Sequence, residues 1–239
     1  MRLDKFICET TGLTRSQAHK IIRSGRIRIE GVVAKQRNIL LETGQAVTFD
    51  DRVLELSPPR YLMLFKPAGY ECTTGDSVHP VATELMEEDI DPEGLHYAGR
   101  LDVDATGLVL LTDDGAWSHR VTAPRHKLPK VYRVDLDRPL DDGARSGLEQ
   151  GVELRGEKKA TAPARVETLG DRAIRLTITE GRYHQVKRML AAVGNHVTAL
   201  HRERIGPLCL DADMEPGDWR ELSPDEIALT EAPITPGTD

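Results

Sequence analysis

An α+β fold in two parts is predicted for this chain: a small, basic, helical N-terminal domain followed by a larger sheet domain with a few helices. Three observations predict it. Amphipathic helix patterns fill most of the first 24 residues, whereas apolar and alternating runs of strand length recur from residue 61 onward. The stiff, extended Ser57-Pro58-Pro59-Arg60 separates the two regions and sets the expected boundary after residue 58. Charge changes sign as well. Residues 1–60 carry 11 Lys and Arg against 7 Asp and Glu, which leaves −11 for the remainder of a 239-residue chain whose formal charge is −7. That asymmetry is expected of a protein with a basic binding arm.

In the N-terminal part, Leu3, Phe6 and Ile7 fall at helical spacing and Gly12 stops the helix. Thr14 is a good N-cap for a second helix over 15–24, in which Ala18, Ile21 and Ile22 form the buried stripe. Arg15, His19 and Arg23 follow at i, i+4 and i+8, one cationic edge beside Lys20. Arg26-Ile27-Arg28-Ile29, Glu30-Gly31 and Val32-Val33-Ala34-Lys35 read as a hairpin, and residues 44–56 as one more strand. Residues 1–40 hold nine Lys and Arg against three acids, so phosphate contact is favoured over a merely solvated surface, with Arg2, Lys5, Arg15, Lys20, Arg23 and Arg26 as the contacting residues.

In the second part, residues 61–65 form a strand halted by Lys66-Pro67-Ala68-Gly69. Residues 76–93, with seven acids and no Lys or Arg, are expected to be a solvated loop and helix turned away from any polyanion. Next comes Ala98-Gly99-Arg100-Leu101-Asp102-Val103-Asp104-Ala105-Thr106-Gly107-Leu108-Val109-Leu110-Leu111-Thr112, a polar, glycine-bounded turn running into a buried strand. Asp102 and Asp104 share one side if the local period is two. Taken alone, the stretch is as well explained by a surface turn with solvated charges.

Residues 118–133 form a second cationic patch with Arg120, Arg125, Lys127, Lys130 and Arg133 and no acid. Residues 131–136 alternate, which puts Tyr132 on the apolar side with Val134 and Leu136, where core packing is the simpler account. Ile174, Leu176 and Ile178 mark a strand. Val186, Met189, Leu190 and Val193 give a helix closed by Gly194, with Arg182, His184, Lys187 and Arg188 at its entry and first turns, a place that favours anions. Residues 197–205 form a last strand rimmed by His201, Arg202 and Arg204, and residues 233–239 a disordered tail.

Composition excludes several chemistries. Three dispersed cysteines form no framework and no ligand pair, and indicate a reducing compartment. No apolar signal core or membrane-length run is present, so a cytoplasmic protein is expected. No His-Glu-x-x-His, phosphate-cradling glycine loop or Gly-x-Ser-x-Gly elbow occurs, so no metal and no cofactor are expected. Carboxylate, tyrosine and cation chemistry remains.

Two resemblances complete the reading. Arg2-Leu3-Asp4-Lys5, Thr14-Arg15-Ser16 and Ser24-Gly25-Arg26 with Gly31 resemble the small RNA-binding domain named after a ribosomal protein of the small subunit. Lys66-Pro67-x-Gly69, Gly99-Arg100-Leu101-Asp102-x-Asp104-x-Thr106-Gly107-Leu108, Lys130-x-Tyr132 and Glu180-Gly181-Arg182-Tyr183-His184-Gln185-Val186-Lys187-Arg188-Met189 together resemble the RsuA-type pseudouridine synthases over residues 1 to about 230. Within that family, Thr112-Asp113-Asp114-Gly115-x-Trp117-Ser118-His119-Arg120 and His201-Arg202-Glu203-Arg204-Ile205-Gly206 look most like members acting on small-subunit (16S) ribosomal RNA at uridine 516.

The resemblance implies a mixed, mainly antiparallel sheet of the pseudouridine synthase type over residues 59–232. It implies Asp102 as the attacking carboxylate, Lys187 as its ion-pair partner, and Tyr132 stacked on the target base. Arg100 would enter the RNA and hold the target out of its stack, and Lys130, Arg182, His184, Gln185 and Arg188 would contact RNA. Asp104 acquires no partner and is taken as structural. The expected partner is 16S rRNA or a small-subunit assembly intermediate, bound by a monomer without metal or membrane. Ala105 departs from the family, which usually carries a hydroxyl residue there, and this puts the support that Thr106 gives the turn in doubt. Two rivals stand beside this reading: the same chemistry on a large-subunit uridine, and a ribosome-assembly factor that binds RNA without chemistry.

Overall fold

The computed structural model describes residues 1–123, 126 and 128–231, and the chain divides into two compact units, 1–58 and a second beginning at Pro59. Arg125, Lys127 and the expected tail at 233–239 lie outside the described residues.

The first unit holds α1 (Leu3–Thr11), α2 (Arg15–Arg23), β1 (Ile27–Ile29), β2 (Val32–Val33), β3 (Val47–Phe49) and β4 (Arg52–Leu54). Gly12 ends α1 in the left-handed region, and Thr14 caps α2 in a reciprocal capping box with Gln17. The strands form an antiparallel sheet in the order β2-β1-β3-β4. Leu3, Ile7, Ala18, Ile22, Ile27 and Val47 are its buried centre. Residues 44–56 are a hairpin rather than one strand. Asp50 and Asp51 both take positive φ and turn the chain between β3 and β4, a conformation that Asp tolerates better than most side chains.

The second unit contains β5 (Tyr61–Lys66), β6 (His96–Tyr97), β7 (Thr106–Thr112), α3 (Gly115–Thr122), β8 (Lys130–Leu136), α4 (Asp142–Gln150), β9 (Arg165–Gly170), β10 (Ala173–Ile178), α5 (Gln185–Ala192), β11 (Val197–Ile205), β12 (Leu208–Cys209), β13 (Trp219–Glu221) and α6 (Pro224–Glu231). The main path of the sheet is β13-β5-β7-β11-β8-β10-β9, with β6 on β7 and β12 on β11; β7 and β11 run parallel and the other described pairs antiparallel. The α+β architecture with a mainly antiparallel sheet is therefore the one the sequence predicts. Residues 76–93 contain only a short 3₁₀ turn, Ala82–Met86, whose Ala82 and Met86 are fully buried.

Both faces of the sheet are covered, which is why residues 107–111 are uninterruptedly apolar. Val109 and Leu111 join Leu62, Leu64, Val134 and the α4 and α5 residues Leu148 and Met189 on one face. Leu108 and Leu110 pack with Trp117 and Val121 of α3 on the other. The parallel pairing of β7 with β11 demands glycine at 107. Its φ is +107°, and a Cβ there would lie 2.3 Å from the Arg202 carbonyl oxygen. Two strands held that closely fix the loop that enters β7.

Candidate active site

That loop, residues 101–105, is irregular, and its shape is imposed by a buried ammonium. Lys66, at the end of β5, is fully buried and donates to the carbonyls of Pro67 (2.9 Å), Val103 (3.2 Å) and Ala105 (2.7 Å). Burial pushes its pKa down, and the nearby Asp104 and Asp102 oppose that shift. The amide of Gly69 donates to Val103 from the other side at 2.8 Å. Ala105 is itself fully buried, while Thr106 Oγ1 lies 2.8 Å from His201 Nδ1. The missing hydroxyl at 105 thus leaves a loop anchored through its backbone.

Asp102 points from this loop toward the start of α5. Lys187 Nζ, in the first turn of α5, lies 3.0 Å from Asp102 Oδ2 and 2.6 Å from Asp104 Oδ1. The expectation that Asp104 lacks a partner is corrected: one ammonium bridges both carboxylates. Partial burial opposes the charge on Lys187, but its hydrogen bonds to Asp104 and Asp102 outweigh that and raise its pKa. The same contact holds the Asp104 carboxyl below its usual range. His184 Nε2 stands 3.4 Å from Asp102 Oδ1, and its ring stacks on the exposed Tyr183 with centroids 3.7 Å apart. His184 caps α5 with φ at +47°, a left-handed conformation that a non-glycine residue adopts at a cost.

Asp102 opens on a cleft of about 650 Å³ that Arg100, Lys130, Tyr132, His184 and Arg202 also line. Tyr132 is 7% exposed, packed in the core and yet part of the cleft wall, so the core and site readings of this residue coexist. Lys130 is held by the Leu128 carbonyl at 3.2 Å, and burial, with Arg202 adding repulsion, pushes its ammonium pKa down to about 8. Arg100 is exposed at the rim.

Three residues expected on RNA carry internal bonds, and two of them, Arg182 and Gln185, also line the cleft. Arg182 donates to the carbonyls of Lys159 (2.7 Å) and Ala160 (2.8 Å) and pairs with Glu180. Gln185 is buried, donates to Glu180 Oε1 at 2.8 Å and accepts from the Arg182 amide at 2.8 Å. Arg188 binds Glu157 and the carbonyls of Arg155 and Tyr183. Together they fasten residues 155–160 to the entry of α5, and so hold Lys187 in place.

In the first unit, Arg15, Lys20 and Arg23 lie exposed on α2. Arg2 pairs with Asp4 (2.7 Å), Lys5 with Glu9 (3.3 Å), and Arg26 with Asp50 while it covers the Phe49 ring, each cation remaining about half exposed. Sequence reasoning missed where three residues of the second unit stand. Lys66 was given no role beyond a strand-stopping motif and the resemblance, His184 was expected on RNA and not beside Asp102, and Arg202 was seen only as a strand cation. Among the described residues, no group of three His, Cys, Asp or Glu side chains is placed to hold a metal ion, and no helix is long and apolar enough to cross a membrane.

Comparison with known proteins meets the same regions. The family described as RNA pseudouridylate synthase matches residues 60–192, and the S4 domain matches residues 1–47. Proteins called ribosomal small subunit pseudouridine synthase A are similar over nearly the whole chain. That of Vibrio parahaemolyticus is 49% identical over 95% of this chain and 98% of its own, and that of Yersinia pestis 50% identical over 98% and 99%. The Escherichia coli K12 protein is 49% identical over 95% and 99%. A solved structure, a crystal structure of pseudouridylate synthase, shares 45% identity and a TM-score of 0.69, covering 96% of this chain and 99% of that one.

Proposed function

The chain belongs to the RNA pseudouridylate synthase family and is an RNA-isomerising enzyme; from that premise we propose that it converts uridine 516 of 16S ribosomal RNA to pseudouridine, in the cytoplasm, with Asp102 as the attacking carboxylate. The observation that carries this reading is that Asp102, ion-paired with Lys187, shares one cleft with Tyr132, and that Arg100 stands at its rim.

A base stacked in RNA offers its glycosidic bond to no carboxylate, so the nucleotide must first leave the stack. Arg100, exposed at the rim, takes the place of the departing base, and Tyr132 gives it a face to rest on inside. Asp102 must be ionised to attack, and Lys187 at 3.0 Å favours that form. The Asp102 carboxylate bonds to C1′ as the N1–C1′ bond breaks with its electron pair on the ring. The ring turns, C5 bonds to C1′ as the carboxylate leaves with the pair of the bond it had formed, C5 loses its proton and N1 gains one. Substrate and product are isomers, so the proton lost from C5 is balanced by the one gained at N1.

The small-subunit target is supported by the names of the similar proteins, and the basic α2 edge of the S4 domain supplies a grip on phosphate. A pure binding factor has no use for an ammonium paired with a carboxylate that lines the cleft. The test is chemical mapping of pseudouridine in ribosomal RNA from cells with and without the gene. Loss of the signal at 516 alone is expected. An unchanged map contradicts the reading, and loss from the large-subunit RNA would transfer the same chemistry there.

A further inference from the structure

Arg202 is 2% exposed and carries a donor with nothing to bond among the described residues. Its Nε donates to the Leu108 carbonyl at 2.7 Å and its Nη1 to the Arg100 carbonyl at 3.1 Å, but Nη2 is buried with no hydrogen-bond partner among the described residues. Such an orphaned donor is costly and rare in a native fold, the more so on a cation. Register explains where it points. Arg202 stands opposite Tyr132 across the β11–β8 pair, and Lys130 lies two residues from Tyr132 on the same side of β8. All three side chains line the cleft that holds Asp102. A second cation, Lys130, stands on the same wall, close enough for Arg202 to oppose its charge, and Nη2 is left without a partner there among the described residues.

Depth decides which part of a nucleotide supplies it. Arg100 is exposed at the rim, where a chain of phosphates passes, while Arg202 is sealed in the wall beside the tyrosine. A flipped nucleotide sends its base inward and keeps its phosphates at the mouth. Resting on the function proposed above, we propose that Arg202 is a substrate-recognition residue whose free Nη2 donates to a carbonyl oxygen of the target uracil, with Lys130 adding positive charge. Guanidinium is donor-only, and uracil offers two carbonyl acceptors, O2 and O4. When the N1–C1′ bond opens and leaves its electron pair on the ring, negative charge spreads over N1, O2 and O4. The contact then strengthens at the moment of bond cleavage, which is the condition for an interaction to speed a reaction rather than only tighten binding.

The test uses the whole protein and a 16S rRNA fragment in which the modified uridine is replaced by 2-thiouridine or 4-thiouridine, or is joined through a neutral methylphosphonate. Thiocarbonyl sulfur is a poor acceptor; the methylphosphonate removes phosphate charge and leaves the base intact. Single-turnover conversion is read by digesting the RNA to nucleosides and separating them. For the unsubstituted protein, one thio substitution is expected to slow conversion by about tenfold or more, and the methylphosphonate to change it less than about twofold. In R202Q the thio penalty is expected to shrink to within about twofold, and R202K to retain more rate than R202Q. A thio penalty equal in R202Q and the unsubstituted protein overturns the assignment. So does a methylphosphonate penalty without a thio penalty, which would give the wall to a phosphate. Should neither variant melt cooperatively, the unsubstituted protein decides alone, since absence of a thio penalty overturns the proposal. No pseudouridine from the unmodified RNA would overturn the enzymatic reading itself, and this assignment with it.

Discussion

Lys187 lies closer to Asp104, at 2.6 Å, than to Asp102, at 3.0 Å. The ammonium that favours an ionised Asp102 is therefore shared with a second carboxylate, but the two partners differ in setting. The Asp104 side chain is 74% exposed and that of Asp102 is 23% exposed. Solvent screening limits the Asp104 contact to roughly 1 kcal/mol or less, so Asp104→Asn is expected to retain activity within about fivefold. Lys187→Met strips Asp102 of its cation and is expected to cost about a hundredfold or more in single-turnover rate, with Lys187→Arg recovering part of it. An Asp104→Asn variant as inactive as Lys187→Met would show that the exposed carboxylate, not the cation, sets the site.

Lys66 governs the same site from below. Replacing it with Met leaves the Pro67, Val103 and Ala105 carbonyls without their shared charged donor. Unmet buried acceptors of this kind predict a loss of about 2–4 kcal/mol in unfolding free energy. Urea unfolding measures it, and an unchanged midpoint would contradict the account of how the loop is held.

Lys130 predicts a pH dependence of stability. Burial first, and Arg202 second, push its folded pKa to about 8 from the 10.5 of an exposed lysine. Between those values the unfolded chain binds the additional proton, so this residue makes stability rise with pH across that window and weakens the fold below it. The difference in urea midpoint between the unsubstituted protein and Lys130→Met is expected to favour the variant at pH 7 and to narrow by pH 10. A difference that is constant with pH would show that the ammonium is not held in this way.

The edge formed by Arg15, Lys20 and Arg23 is exposed on α2 and is free to meet phosphate. Neutralising all three with Ala is expected to reduce the slope of log affinity against log salt by about 2 for RNA, with little change in melting temperature, since each phosphate contact contributes roughly 0.7 on single strands. An unaltered slope would place the phosphate grip elsewhere.

Local chemistry made much of the fold legible. Gly12 and Thr14 punctuate α1 and α2, and the Val186, Met189 and Leu190 stripe marks the buried face of α5. The hairpin at Asp50 and Asp51 was not legible, because a left-handed turn usually announces itself with Gly or Asn and here two aspartates adopt it. In the site, the glycine-bounded turn marked Asp102. The link between Lys187 and Asp104 spans 83 residues and exists only because α5 docks beside the loop. Tyr132 was posed as core or site, a choice that a residue on the inner wall of a cleft does not have to make. Arg182 and Arg188 look like RNA contacts in a string of basic residues; only the carbonyls they fasten show their structural use. Burial was the missing variable for Lys66 and Arg202, since sequence does not reveal which lysine or arginine lies inside.

The most direct measurement uses RNA carrying tritium at C5 of the target uridine. Forming the new bond from C5 to C1′ expels that hydrogen, so release of label to water counts turnovers. The unsubstituted protein is expected to release it, and Asp102→Asn to release none while binding the same RNA with comparable affinity. Release by Asp102→Asn at the unsubstituted rate would contradict Asp102 as the attacking group.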